Sequence, residues 1–504
     1  MPFLQAGPFR LLYQNGFVRQ ITHEGTEVLR MIYFALRDHN WGTFATQIIE
    51  EKIDTQENHF SISYLSYNID KNQVPVFEWK AIIEGHENGT IVFNIEGKAL
   101  QSLRKNRAGF CILHPIEGIA EQPVTIFHPS GASTATHFPR YISPQDPFLD
   151  IQSMQWQAAN GCVYKVDCEG DIFQTEDQRN WGDASYKTFC TPLSEPFPVQ
   201  LQQGDTVWQR VSFRLATENK QPQSGVAPQK SMSRQEAVNV GIAAAIETDE
   251  LSAESVELLK TLKLSHYRVD LTLFEKDWIS YLSDQAEKAL LLGLPLEVVV
   301  TLNEDFESQL ADFIGVMQQN RLHIKHLLLL SARKLVTSQS LIDYIPQLKT
   351  QLFGVKIGIG TDYNFTELNR NRFEAGEADF VSCSFDPQEH AFDELSLLEN
   401  TETVKYLVES AYNIYQKPVH ISFIALCRRA NPYATQAADM VLSIENQIDK
   451  RQSTAFAKEW TAKLLSHLAH TEVASVTMFR TIGELGIMSK SGSTYPVFEA
   501  LKER

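Results

Sequence analysis

Cysteine is scarce in this sequence and carries no framework. The 504 residues hold six, Cys111, Cys162, Cys168, Cys190, Cys383 and Cys427, with no CxxC or CxxCH pair among them. A disulfide scaffold, a zinc ribbon and a c-type haem attachment therefore lack support, and the cysteines read as reduced, buried thiols. Long apolar runs are missing as well: none approaches 18 residues, which argues against a membrane-spanning helix. The opening MPFLQAGPFRLLYQNG has no basic stretch, apolar core or small-residue cleavage site, so the expectation is a cytoplasmic chain. Positive charge is short, with 45 Lys and Arg against 62 Asp and Glu and a net charge of −17. Nucleic acid and anionic membranes are accordingly poor partners.

The common catalytic signatures are absent too: no GxSxG, HExxH, P-loop, HxH or GxGxxG. His467 and His470 stand three apart on a late helical stretch with no third ligand nearby, which reads as a solvated face, so no metal and no cofactor is expected. What is present is ordinary globular composition, 43% hydrophobic and 21% charged, enough for two or three domains. The expected partner is a small molecule.

Residues 1–217 run in short alternating stretches such as FSISYLSYNI and TIVFNIEGKAL, bounded by Gly, Asn, Asp or Pro. Period-two alternation with one wet face predicts antiparallel sheets packed as a large, supersandwich-like β-sandwich. Residues 218–235 have no periodicity and read as a linker. From 236 to 504 apolar strands alternate with amphipathic helical stretches. Strands are predicted at 238–246, 266–271, 296–302, 324–330, 355–361, 378–385, 418–426 and 474–479. Eight such units predict a (β/α)8 TIM barrel, with a doubly wound sheet as the alternative.

Barrel sites sit where the strands end at their carboxyl side. Here those ends carry Arg268, Asp270, Asn303, Asp362, Asn364, Glu367, Ser384, Asp386, His390 and Arg480, a lining suited to sugar hydroxyls, which both donate and accept. Asp305, ahead of FESQLADFI, reads as a helix cap. The ends of strands four and seven, LLLLSARK and SFIALCRR, lack the carboxylates of an ordinary barrel glycosidase, which disfavours that reading. A further stretch, EDQRNWGDASYKTF (176–189), packs Glu176, Asp177, Arg179, Asn180, Asp183 and Lys187 among Trp181, Tyr186 and Phe189 without periodicity. It reads either as an ion-paired buttress or as a loop closing over the barrel mouth, with aromatics against a sugar ring and charges on its hydroxyls.

The segments FCILHPIEGIAEQPV (110–124), FPRYISPQDPFLDI (138–151), EGDIFQTEDQRNWGDASYKTF (169–189), NFTELNR (364–370), DFVSCSFDPQEHAFDELSLLE (379–399), RRANPYAT (428–435), DKRQSTAFAKEW (449–460) and ASVTMFRTIGELGIM (474–488) together resemble the D-apionate lactonase family. The resemblance spans both predicted domains. It implies hydrolysis of a branched-chain sugar lactone, D-apionolactone, to its aldonate in D-apiose catabolism, by a sandwich followed by a TIM barrel. It also implies a small β domain after the barrel, where this sequence ends in YPVFEALKER, and a Tyr-Tyr-Glu-Thr type segment where Met478, Phe479, Arg480 and Thr481 stand.

Lactone hydrolysis needs an activated water and a group facing the oxyanion. The candidate base is His390 or Asp386, and the candidate oxyanion group is Arg268 or Asn364. His390 would be oriented by Asp393 or Glu394, since histidine exchanges protons near neutrality. Asp177, Arg179, Asn180, Trp181, Asp183, Lys187, Asp270, Asn364, Glu367 and Arg480 are the candidate substrate-binding residues. A glycoside hydrolase with unorthodox carboxylates and a non-catalytic carbohydrate binder are the alternative functions.

Overall fold

The protein is described by a computed structural model covering residues 3–218, 238–246, 251–433, 440 and 442–504. The chain divides into two units: residues 1–178 with 185–230, and residues 179–184 with 231–504. The linker expected over 218–235 lies, apart from Glu218, outside the described residues.

The first unit holds two nine-stranded sheets, and their strands pair antiparallel. Alternation works as the sequence predicts. Along Phe60–Ile69 every second residue is buried, and those residues face the other sheet. Aromatic contacts cross between the sheets, with Phe34 against Trp79 at 4.8 Å, Phe9 against Phe213 at 5.0 Å and Phe93 against Phe110 at 4.9 Å between ring centroids. This is the interdigitated core of a β-sandwich.

The second unit is a closed parallel barrel. Its strands are β1 (Val240–Ala243), β2 (Tyr267–Thr272), β3 (Leu296–Leu302), β4 (Ile324–Ser331), β5 (Lys356–Gly360), β6 (Phe380–Phe385), β7 (Val419–Ile424) and β8 (Val473–Ile482). Each pairs in parallel with the next, and β1 pairs with β8 to close the ring. All eight predicted strands form, the first shorter than its apolar run. Strands buried on both faces need apolar residues throughout, and every residue of β6 and β7 is buried.

The sequence departs from this rule on the inward face. Alternate positions there carry His266 and Arg268 (entering β2), Glu297 (β3), His326 (β4) and His420 and Ser422 (β7), all buried. Barrel interiors are ordinarily layered with Val, Ile and Leu, so these polar residues have to satisfy one another.

The stretch 176–189 is a hairpin rather than a loop. Strands Phe173–Asp177 and Ser185–Phe189 flank a 3-10 turn at Gln178–Trp181. Its second strand is buried at all five positions, which erases the alternation that would have marked it as a strand.

Gly360 ends β5 with φ of 138°, and a Cβ there would lie 2.1 Å from the Ser382 carbonyl oxygen of β6. That backbone geometry and that close approach are open only to glycine. Gly360→Ala is expected to destabilise the barrel by about 1–3 kcal/mol, read as a lower urea or thermal midpoint; an unchanged midpoint would show that the strand pair can relax.

Candidate active site

The carboxyl ends of β5, β6 and β7 surround a cleft with about 490 Å³ of empty space, part of it open to solvent. β5 delivers Asp362 and Asn364, β6 delivers Ser384, Asp386 and Glu389, and the segment after β7 delivers Arg428 and Arg429, with Trp181, Glu367 and Tyr433 completing the wall. Trp181, Tyr363, Phe385, Phe423 and Tyr433 set aromatic surface beside these polar groups, a mixture that suits a sugar, whose hydroxyls donate and accept.

Two carboxyl groups dominate the cleft. Burial pushes the Asp386 carboxyl up to about 6, against the Gln388 N–H and the Asn364 amide, which favour its ionised form. Burial, and then the charge of Asp386, push Glu389 up to about 8. Asn364 Nδ2 donates to Glu389 Oε1 at 3.0 Å, and Arg428 donates to Glu389 Oε2 at 3.3 Å. The pair thus shares a proton near neutrality, which gives the cleft one carboxylate and one carboxylic acid. Cys427 also lines the cleft, but burial pushes its thiol up to about 12, so it offers no thiolate nucleophile.

Behind the cleft lies the fully buried Arg268. Its guanidinium donates to Asp270 at 2.6 Å and 2.9 Å, to Asp362 at 2.8 Å and to Ser422 at 2.7 Å. Asp362 Oδ1 also accepts from Arg429 at 2.6 Å, and the same nitrogen of Arg429 reaches Ser384 Oγ at 3.1 Å. Arg268 therefore acts on the cleft through Asp362 and Arg429 rather than by facing it.

The turn residues 179–184 belong with the barrel unit. Gly182, at φ of 91°, lays its backbone where a Cβ would stand 2.5 Å from the Asp386 carbonyl oxygen. Trp181 turns an edge to His390 and to Tyr433, with the Arg370 guanidinium 5.3 Å above its ring. Asp183 accepts from Asn400 at 3.1 Å and lies 2.6 Å from His390 Nδ1. Asp183 is thus the orienting partner of His390. Asp393, expected in that role, instead caps the helix Glu394–Asn400 by accepting from the Ser396 N–H at 3.0 Å.

The other expected residues are distributed as follows. Asp386, Asn364, Glu367 and Trp181 line the cleft; His390 sits behind Trp181, outside the lining. Arg179 is buried with its guanidinium 5.1 Å from the Tyr406 ring, and Asn180 accepts from Asn369. Asp177 and Lys187 stand in the first unit, where Asp177 accepts from the Ser143 N–H and Lys187 pairs with Glu176 at 3.1 Å. Asp270 is held by Arg268. Arg480 donates to the Ala244 carbonyl at 2.7 Å, with its guanidinium 5.5 Å from the Phe423 ring, and it lines two adjoining cavities. Asp305 stands at the N-cap of the helix Phe306–Gln319 without making a side-chain capping bond.

Glu389, Arg428, Arg429 and Tyr433 were not among the expected site residues. Glu389 lies three residues past Asp386 in DPQEH, and RRANPY follows β7 directly, so the strand-end rule could have reached both. A deeper cluster gave no such signal. Glu297, His266, His326 and His420 meet at the barrel floor, from positions 29 to 154 residues apart. Burial opposes the charge of Glu297, yet the imidazoles hold its carboxyl well below the ordinary range, while burial pushes His266 down to about 4.

Residues 2–218 match the D-apionate lactonase N-terminal domain, and residues 240–504 match the D-apionate lactonase TIM barrel domain. A D-apionate lactonase of Brucella anthropi is 26% identical over 532 aligned positions, covering 99% of this chain and 86% of its own length. Among solved structures, a β-arabinopyranosidase is 8% identical with a TM-score of 0.31, over 94% of this chain and 82% of that one. A family 51 α-L-arabinofuranosidase from Bifidobacterium longum is 10% identical with a TM-score of 0.37, over 53% and 73%. Likenesses of that degree carry nothing for the site. With both domain profiles matched in order across almost the whole sequence, the chain belongs to the D-apionate lactonase family.

Proposed function

We propose that the protein is a carboxylic ester hydrolase that opens a sugar lactone, D-apionolactone or a close aldonolactone, to its aldonate in apiose catabolism. The observation that carries this reading is the carboxyl pair Asp386 and Glu389 facing two arginines in a polar cleft at the barrel's carboxyl end. Family membership and the Brucella relative support the lactone as substrate.

Ester hydrolysis requires four things of the site, and the cleft has a group for each. Asp386, ionised near neutrality, takes a proton from the attacking water as its oxygen bonds to the lactone carbonyl carbon. Arg429, held by Asp362 and Ser384, faces the carbonyl oxygen as it becomes an oxyanion. Glu389, still protonated, gives its proton to the ring oxygen as the acyl C–O bond breaks. Trp181, Asn364 and Tyr433 hold the sugar hydroxyls and the ring. His390, fixed by Asp183 and set against Trp181, positions that wall.

In this reading Arg268 is a positioning residue for Asp362. The glycoside hydrolase reading is not favoured, since β4 and β7 run into Ser331-Ala332 and Ala425-Leu426 without a carboxylate at either end. Incubation with a panel of aldonolactones is expected to release acid, followed by a pH indicator after subtraction of spontaneous opening. Asp386→Asn and Glu389→Gln should each lower kcat by roughly 10²–10⁴-fold. Reducing sugar released from glycosides with no lactone opening would contradict the proposal.

The same chemistry has a stability signature. Between the ordinary carboxylate pKa of 4.5 and about 8, folded Glu389 keeps a proton that the unfolded chain has released. Stability therefore falls as pH rises through that window. Glu389→Gln removes this contribution: the variant should match the native chain near pH 4 and exceed it at pH 8 by a few kcal/mol, at most about 5. Urea unfolding at the two pH values measures this, and parallel curves for the two proteins would show that Glu389 is ionised in the folded state.

A further inference from the structure

The floor of the barrel brings four donors to one point. Glu297 Oε2 lies 3.3 Å from His326 Nδ1, 3.6 Å from His420 Nδ1 and 3.7 Å from His266 Nε2. All four residues are buried. The first separation is at the limit of hydrogen-bond distance and the other two lie beyond it. Among the described residues, none of Glu297 Oε2, His326 Nδ1 and His420 Nδ1 finds a partner in good hydrogen-bond geometry. Buried polar atoms left unpaired are costly and uncommon in folded proteins, and here two imidazole nitrogens approach one carboxylate oxygen. His266 Nε2 is different, being 2.8 Å from Thr477 Oγ1.

One divalent ion accounts for the arrangement. A tetrahedral zinc, with bonds near 2.0–2.1 Å, holds its ligand atoms about 3.3 Å apart, and the ligand atoms of His266, Glu297 and His326 all lie within 4.8 Å of one another, close enough for a small side-chain shift to seat them on one ion. The donor set, imidazole nitrogens with one carboxylate oxygen, suits zinc rather than calcium or magnesium, which take oxygen. The surroundings are those of an oriented ligand sphere. Glu297 Oε1 accepts from Ser422 and Thr477, His266 Nδ1 lies 2.9 Å from Ser265 Oγ, and the His420 ring stacks on Phe380 at 3.9 Å between centroids.

We propose that the barrel floor binds one zinc ion through Glu297 Oε2, His326 Nδ1 and His266 Nε2, the last releasing Thr477, with His420 Nδ1 turning in as the fourth ligand. The site is structural and makes no contact with the reacting groups of the cleft. It captures its ion as the barrel closes, and it fixes Glu297, which holds Ser422, which in turn holds Arg268.

The test is metal analysis of the full chain by plasma mass spectrometry after production in zinc-supplemented medium, together with refolding of the same chain in cobalt(II) alone. The expected result is about one equivalent of zinc per chain, falling by about tenfold or more in His326→Ala and in His420→Ala at unchanged circular dichroism. The cobalt-refolded native chain should show the intense visible bands of tetrahedral cobalt. Should both variants misfold, the native chain's zinc content and cobalt spectrum decide the matter alone. Less than about a tenth of an equivalent in the native chain, weak octahedral cobalt bands, or folded variants that keep their zinc would each overturn the proposal.

Discussion

A guanidinium with no exposed surface has to be neutralised where it stands, and Arg268 in the barrel interior imposes that requirement on everything around it. Losing water costs an ion several kcal/mol, and only closely placed carboxylates and full hydrogen bonding offset that cost. Asp270, Asp362 and Ser422 supply both. They come from β2, from the end of β5 and from β7, so one buried charge fixes the relative height of three strands. The apolar outer faces of the same strands close the barrel against its helices; the polar inner face decides how the strands register around its axis.

From that junction the order passes outward to the cleft. Asp362 shares its oxygen between Arg268 and Arg429, so Arg429 enters the cleft already held, and Ser384 on β6 fixes it further. An arginine positioned in advance stabilises an oxyanion without having to reorganise. The carboxyl pair works against stability: both groups are raised because burial disfavours their charge. Strain of this kind is common where titratable groups serve chemistry rather than folding. Downward, the same interior polarity reaches Glu297 through Ser422, so the cleft and the floor belong to one connected column.

Architecture was legible in the sequence because it rests on periodicity. Alternation exposed the sandwich, and eight apolar runs exposed the barrel, since a strand covered on both faces has no room for another pattern. The hairpin at 176–189 was misread as a loop for the same reason in reverse: burial on both faces of Ser185–Phe189 left charges where alternation would have marked a strand. The strand-end rule found Asp386, Asn364 and Glu367 but passed over Glu389 and Arg429, whose place in the cleft depends on how the chain turns after β6 and β7. The sequence offers His390 orienting partners three and four residues along the chain, whereas Asp183 comes from 207 residues away. Glu297 and its three histidines carried no signal in the sequence, because inward positions on separate strands become neighbours only when the ring closes.

The central claim is that Asp386 and Glu389 divide the roles of base and acid in opening a lactone. The measurement that tests it most directly is the pH dependence of kcat/KM for an aldonolactone, corrected for spontaneous opening, in the native chain and in Glu389→Gln. The account predicts a bell with limbs near 6 and 8 that belong to the pair, and loss of the alkaline limb in the variant. A rate that climbs steadily with pH in both proteins would contradict it.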